Sequence, residues 1–330
     1  MQHFQTNEGH DLTSFARLEY AENNLIIDAF CAISLSEQTR IKQFFSEKNV
    51  QFNFNVVARA VQSKVKRHKN IKNVIAVGAG KGGVGKTSIA INLAKALSNT
   101  GVKVGLLDLD IYGPNVPRAM GDLGPKQSDK QHDLVPVEYQ GIQTISLAQV
   151  VAADDPILWR GPMTAKVAEQ MFTGAEWAEL DYLILDLPPG TGDVHISVCQ
   201  KLPITAAVLV STPQTISYMD TLKAYKMFDN LQIPVLGYVS NMAYFDCGNC
   251  DTRHNIFPGS GKMPENIACL LELPLAESIA KANEFNTELS PKVLADFDDF
   301  AFKVSYAINE KAKDRSSLMP EVMVVKKESK

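Results

Sequence analysis

Gly80-Lys81-Gly82-Gly83-Val84-Gly85-Lys86-Thr87 is a phosphate-binding loop carrying a second lysine at its start. Its glycines let the backbone close around phosphate oxygens so that successive amide N–H groups point inward, and the following helix adds the positive end of its dipole. Lys86 is placed to neutralise the β- and γ-phosphates, and the Thr87 hydroxyl to ligate Mg²⁺. Such a loop requires a strand before it and a helix after it. Val74-Ile75-Ala76-Val77 is a short buried-strand run. Beyond the loop, Ile89, Leu93, Ala96 and Leu97 recur at helical spacing, and Gly101 stands where a helix would stop. The full match in that setting outweighs a glycine-rich turn without a ligand.

Working outward, buried runs at 103–108, 182–187, 206–211 and 235–241 alternate with helical segments. That alternation predicts an α/β fold with a doubly wound, mostly parallel sheet covered on both faces. The first three runs lead into Asp108, Pro188 and Thr212-Pro213, and the fourth into Asn241, at the carboxyl ends where ligands sit in open α/β sheets. Residues 121–155, with Pro125 and Pro136, read as an excursion of loop and irregular strand.

Upstream, Leu25 to Phe30 reads as a strand, Ser36 to Lys48 as a helix, and Val50 to Val57 as a half-buried strand by its period of two. They form a small N-terminal β-α-β unit within residues 1–62, whose first 23 residues are polar and unpatterned and read as a loose tail or a first element without a clear pattern. Residues 63–73 form a basic linker, 74–312 the nucleotide-binding domain, and 313–330 a tail of mixed charge without the apolar stripe of a membrane-seeking helix.

The chain has 330 residues, 45% of them hydrophobic, with 33 basic and 37 acidic side chains and a formal charge of −4. No overall field favours nucleic acid or an anionic membrane. The basic run Lys64 to Lys72 has no interleaved aromatic residues, so it reads as a solvated linker rather than a nucleic-acid contact. No stretch approaches the ~20 apolar residues of a membrane helix, and the first residues lack a signal pattern, which predicts a cytoplasmic protein. Five cysteines argue for reduced thiols rather than a disulfide framework.

Two strand ends carry carboxylates. Asp108-Leu109-Asp110 places two aspartates on one side of a strand tip, where one of them is positioned to orient or deprotonate an attacking water. Asp186, followed by Leu187-Pro188-Pro189-Gly190-Thr191-Gly192-Asp193, suits Mg²⁺ coordination, and the Gly190-Thr191-Gly192 turn can move with the γ-phosphate. Taken singly, each aspartate is as readily a strand-end cap.

The loop 80–87, the run Asp108 to Pro114 and the segment Asp186 to Asp193 resemble the Mrp/ApbC family, a branch of the ParA/MinD-type ATPases. Trp159 to Met163, Ser240-Asn241-Met242 and the Cys247/Cys250 pair extend the resemblance over roughly residues 71–310. It implies a slow, homodimeric P-loop ATPase that carries iron–sulfur clusters and transfers them to apo-proteins, alongside cluster assembly proteins. By the same resemblance Gly80 to Thr87 bind ATP, Lys81 reaches the partner chain's nucleotide, and Lys86 and Thr87 hold phosphate and Mg²⁺. Asp110 serves the attacking water, Asp186 supports the metal, and Asn241 contacts adenine. No Asn-Lys-x-Asp guanine motif is present. The chain departs from the family in lacking an Asp-Pro-Glu segment near its start, and in having Asp251 and Lys262 where glycines are common.

Cys247-Gly248-Asn249-Cys250 lies in a turn-rich segment just past a strand. Two thiolates at that spacing grip one metal centre but supply only two of four tetrahedral ligands. Either a symmetry mate contributes two more, or a neighbour such as His254 completes the set; a two-fold axis through the centre favours the bridge. The resemblance implies a 4Fe–4S cluster bridging two chains. Zinc in the same cage, a redox disulfide and a plain pair of reduced thiols are the other readings. Cys31, Cys199 and Cys269 read as small buried hydrophobes. A rival function from another class is a MinD- or ParA-like positioning or partition switch, which shares every nucleotide residue. A metabolic kinase or synthetase has no second substrate pocket marked in the sequence.

Overall fold

The computed structural model describes residues 4–6, 9–21, 24–48, 50–61, 65–110, 113, 115–121, 134–147, 161–250, 252–257, 263–285 and 287–313. Its elements in chain order are α1 (Leu12–Phe15), β1 (Ala16–Ala21), β2 (Asn24–Ala29), α2 (Leu35–Ser46), β3 (Phe52–Val56), β4 (Ile71–Ala79) and α3 (Lys86–Asn99). Then follow β5 (Val104–Asp108), α4 (Val116–Ala119), β6 (Val137–Tyr139), β7 (Ile142–Ser146), α5 (Gly161–Thr173), β8 (Leu180–Asp186) and α6 (Asp193–Lys201). The chain continues with β9 (Ala206–Ser211), α7 (Thr215–Asn230), β10 (Val235–Asp246), β11 (Arg253–His254), β12 (Cys269–Pro274), α8 (Glu277–Phe285) and α9 (Pro291–Lys313).

Among the described residues, nine strands form the main sheet in the order β11-β10-β9-β4-β8-β5-β7-β6, with β12 also paired to β10. The pairs β10–β9, β9–β4, β4–β8, β8–β5, β5–β7 and β10–β12 are parallel; only the edge pairs β6–β7 and β10–β11 are antiparallel. The central strands are buried on both faces, so they read as continuous apolar runs rather than alternating ones. One face packs Ile75, Val77, Leu106 and Ile184 under α3 and α9; the other packs Ala76, Leu107, Leu183 and Leu185 under α5, α6 and α7. This is the doubly wound α/β sheet the sequence predicts, with the loop after β4 at its centre.

The N-terminal sheet has the order β1-β2-β3, and β2 and β3 are the parallel pair of the expected β-α-β unit. Of the two readings of residues 1–23, the described residues bear out a first element and correct the loose tail. β1 pairs antiparallel with β2 from Ala16↔Ala29 to Ala21↔Asn24, and Phe4, Leu12 and Phe15 are buried in a cluster that includes Phe302 of α9. Arg17 and Glu19 alternate with Leu18 and Tyr20 on this edge strand, so its polar face masked the pattern. The expected linker also ends early, because Ile71 and Asn73 already pair with Leu180 and Tyr182. Within the 121–155 excursion, β6 and β7 form a hairpin on the sheet edge; 122–133 and 148–155 lie outside the described residues. So do Trp159, Arg160, Ile111, Tyr112, Pro114, Asp251, Lys262 and the tail from 314. No described helix is long and apolar enough to cross a membrane.

Candidate nucleotide and metal sites

The loop between β4 and α3 is built by glycines with distinct tasks. Gly83 and Gly85 hold φ of 76° and 88°, the left-handed region that glycine enters without penalty. A Cβ at Gly80 would stand 2.2 Å from the backbone of Asp220, and one at Gly85 would stand 2.2 Å from Asn241 Nδ2. The loop therefore fits between α7 and β10 only because side chains are missing there. Lys86 and Thr87 open α3, with its amide end toward the loop.

Polar groups of two strand ends, β5 and β8, meet at this helix start. Lys86 Nζ donates to Asp186 Oδ1 at 2.6 Å and lies 3.4 Å from Asp110 Oδ2; Thr87 Oγ1 donates to Asp186 Oδ2 at 2.7 Å. Lys86 and Asp186 are both buried. Burial raises the Asp186 carboxyl above its ordinary range, against the pull of Lys86 and Thr87. Asp110 and Asp186 thus both reach Lys86, while Asp108 takes a different part. Its Oδ2 accepts from the Ser146 hydroxyl at 2.9 Å and its Oδ1 from the Asp110 amide at 3.1 Å, fixing the turn that aims Asp110. Burial, then the charge of Asp186 across the β5–β8 register, pushes Asp108 up to about 7. Thr87 and Asp186 converge as two hard oxygen donors, a donor set that fits Mg²⁺.

Lys81 Nζ donates to Gln214 Oε1 at 3.1 Å, just before α7. Asn241, expected on adenine, is buried and uses both ends of its amide within the chain: Nδ2 donates to the Val84 carbonyl at 2.9 Å, and Oδ1 accepts from the Met242 amide at 3.0 Å. The Gly190 amide donates to the Ala79 carbonyl at 2.9 Å, so the turn after β8 touches the residue preceding the loop. Beneath it His195 is buried, packed on Phe228, and held down to about 4 by burial and the Lys86 charge. Gln214, Ser146 and His195 escaped the sequence reading because each acts across the fold, with no local motif to mark it.

The cysteine pair sits at the tip of a hairpin. The last part of β10 pairs with β11 through Phe245↔His254 and Asp246↔Arg253, and the Cys247 amide donates to the Thr252 carbonyl at 3.0 Å. Arg253 bonds Asp246 at 2.9 Å and covers the Tyr244 ring at 3.6 Å, which anchors one face of the hairpin. Cys250 is exposed and Cys247 half-buried, and contacts from the Thr252 hydroxyl and amide, then from Cys247 and His254, hold the Cys250 thiol down to about 7. Ligand atoms of Cys247, Cys250 and His254 all lie within 4.8 Å of one another. Cys31 and Cys199 are buried as expected; Cys269 is exposed, because it starts β12 at the sheet's edge.

Comparison with known proteins accords with this geometry. Residues 70–308 match the family model described as ParA, NUBPL iron-transfer P-loop NTPase. An iron-sulfur cluster carrier protein of Deinococcus radiodurans is 37% identical over 84% of this chain and 78% of its own length. The iron-sulfur cluster transfer protein NUBPL of Dictyostelium discoideum is 40% identical over 67% of this chain and 69% of its own. The matches span 57% and 62% of the carrier proteins of Haemophilus influenzae and Aquifex aeolicus. Among solved structures, a nucleotide-binding protein of Archaeoglobus fulgidus, described in complex with ADP and with cobalt, is 37% identical with a TM-score of 0.57, covering 66% of this chain and 87% of that one. The cell-division ATPase MinD of Pyrococcus furiosus, 20% identical with a TM-score of 0.52 over 71% of this chain and 99% of its own, shares the fold. The chain belongs to the ParA-type NUBPL iron-transfer P-loop NTPases, the group in which the Mrp/ApbC resemblance placed it.

Proposed function

We propose that this chain is a cytoplasmic, homodimeric ATPase that takes a 4Fe–4S cluster as cargo between the Cys247 and Cys250 pairs of two chains and transfers it to apo-proteins. In this reading the loop Gly80 to Thr87 binds ATP, Thr87 and Asp186 hold Mg²⁺, and Asp110 orients the attacking water. Lys81 leaves Gln214 and reaches the partner's nucleotide, supplying positive charge as an arginine finger does. Residues 1–62 are a small α+β unit packed on α9 of the ATPase domain, and 313–330 a C-terminal tail. The names of the relatives support the cargo, and the ADP of the Archaeoglobus protein supports the nucleotide.

The observation that carries the reading is the path of β10. Asn241 in this strand is bonded to the phosphate loop, and Cys247 follows six residues later, past a left-handed kink at Met242 (φ 55°). A loop that tightens on ATP pulls on the strand that ends at the thiols, which gives cluster release a physical link to the nucleotide. The test is transfer: cluster-loaded protein is mixed with an apo 4Fe–4S enzyme, with and without ATP, and recovery of that enzyme's activity is followed. No recovery under either condition contradicts the carrier role. ATP-dependent sedimentation with liposomes or DNA would favour a positioning switch instead.

A further inference from the structure

We propose that each single chain holds one borderline-soft divalent cation between Cys247, Cys250 and His254, a mononuclear site that exists before two chains meet around a cluster. The inference rests on the cysteine pair being a metal site, and deepens that reading by naming what the thiols bind in the monomer.

The strand register brings the third donor in. His254 pairs with Phe245, and Cys247 lies two residues beyond Phe245, so all three share one face of the hairpin. Arg253 takes the opposite face with Tyr244 and Asp246. The turn returns Cys250 to the same side, and the three ligand atoms fall within 4.8 Å of one another. A tetrahedral ion with bonds of about 2.3 Å to sulfur and 2.0 Å to nitrogen needs its donors about 3.5–3.8 Å apart. The pocket is therefore a small closure from ligation, and an exposed hairpin tip can make that closure.

Two thiolates and an imidazole select zinc, cobalt or ferrous ion over magnesium or calcium. On binding, each S–M bond replaces an S–H bond, the thiol protons pass to water, and His254 donates a neutral ring lone pair; no electron is transferred. The fourth position faces solvent, since Cys250 and His254 are exposed, so the ion stays exchangeable. A bridged cluster uses only the four thiolates, which leaves His254 as the group that separates the two states.

The test uses Co²⁺ alone as the probe, added without oxygen to the reduced full chain while its mass in solution is followed. The expected result is one cobalt per chain at monomer mass, with intense tetrahedral visible bands and thiolate charge transfer. His254→Ala should weaken binding by more than about 100-fold, the upper end of what loss of a mere supporting contact costs. His254→Cys should restore tight tetrahedral binding with stronger charge transfer. Unchanged affinity and spectrum in His254→Ala, or one cobalt shared by two chains, overturns the proposal. Cluster reconstitution separates the two readings: His254→Ala that loses cobalt yet accepts a bridged cluster supports both, whereas wild type that binds cobalt but no cluster removes the carrier reading alone.

Discussion

Asn241 Nδ2 donates to the Val84 carbonyl oxygen at 2.9 Å, tying the phosphate loop to β10, which ends at Asp246 beside Cys247. The bond is buried, so removing the amide strands the carbonyl away from water. Asn241→Ala should cost about 1–3 kcal/mol in urea unfolding of the nucleotide-free protein. A side chain serving only adenine would leave that stability unchanged and weaken ATP binding alone.

Lys86→Ala should abolish binding of a fluorescent ATP analogue, because in the proposed function its ammonium neutralises the β- and γ-phosphates. It also strands Asp186, which is 0% exposed. A buried charge that loses its partner costs about 3–5 kcal/mol. Protonation of the already raised carboxyl recovers part of that, so the variant should be relatively more stable at pH 5 than at pH 8. Equal loss at both pH values would contradict the ion pair.

Asp108 gives the wild type a pH dependence of definite sign. Its carboxyl rises from 3.8 to about 7 on folding, so the folded chain binds the extra proton and stability falls as pH rises between those values. The slope approaches about 1.4 kcal/mol per pH unit for a single group. Asp108→Asn can still accept from the Asp110 amide, and should flatten this part of a urea-midpoint profile. An unaltered profile would show that Asp108 keeps its charge.

Lys81→Ala should leave nucleotide affinity near wild type and lower turnover by on the order of 10²–10³, as loss of one transition-state donor does. The measurement is ATP hydrolysis beside equilibrium binding. Equal loss of binding in Lys81→Ala and Lys86→Ala would count against the role across the dimer.

The loop 80–87 and the strands around it were legible because burial on both faces leaves apolar runs, and because a close backbone turn admits only glycine at Gly80 and Gly85. β10 was expected to end at Asn241 and runs on to Asp246, since its last residues pair with β11, a partner too short to carry a pattern. The sequence predicts Asp108 on the same side of the strand tip as Asp110. Strand alternation gave the side but not the Ser146 hydroxyl that claims its carboxylate. Lys81 was singled out by its place in the loop, while its partner Gln214, 133 residues away, had nothing local to mark it.

The proposed function depends on a cluster shared by the Cys247 and Cys250 thiolates of two chains. It is tested most directly by anaerobic reconstitution followed by Mössbauer spectra and iron and sulfide analysis of the wild type and Cys250→Ala, with mass measured in solution. The account predicts one 4Fe–4S cluster per two chains in the wild type and none in the variant. A cluster of unchanged spectrum and stoichiometry in Cys250→Ala would contradict it.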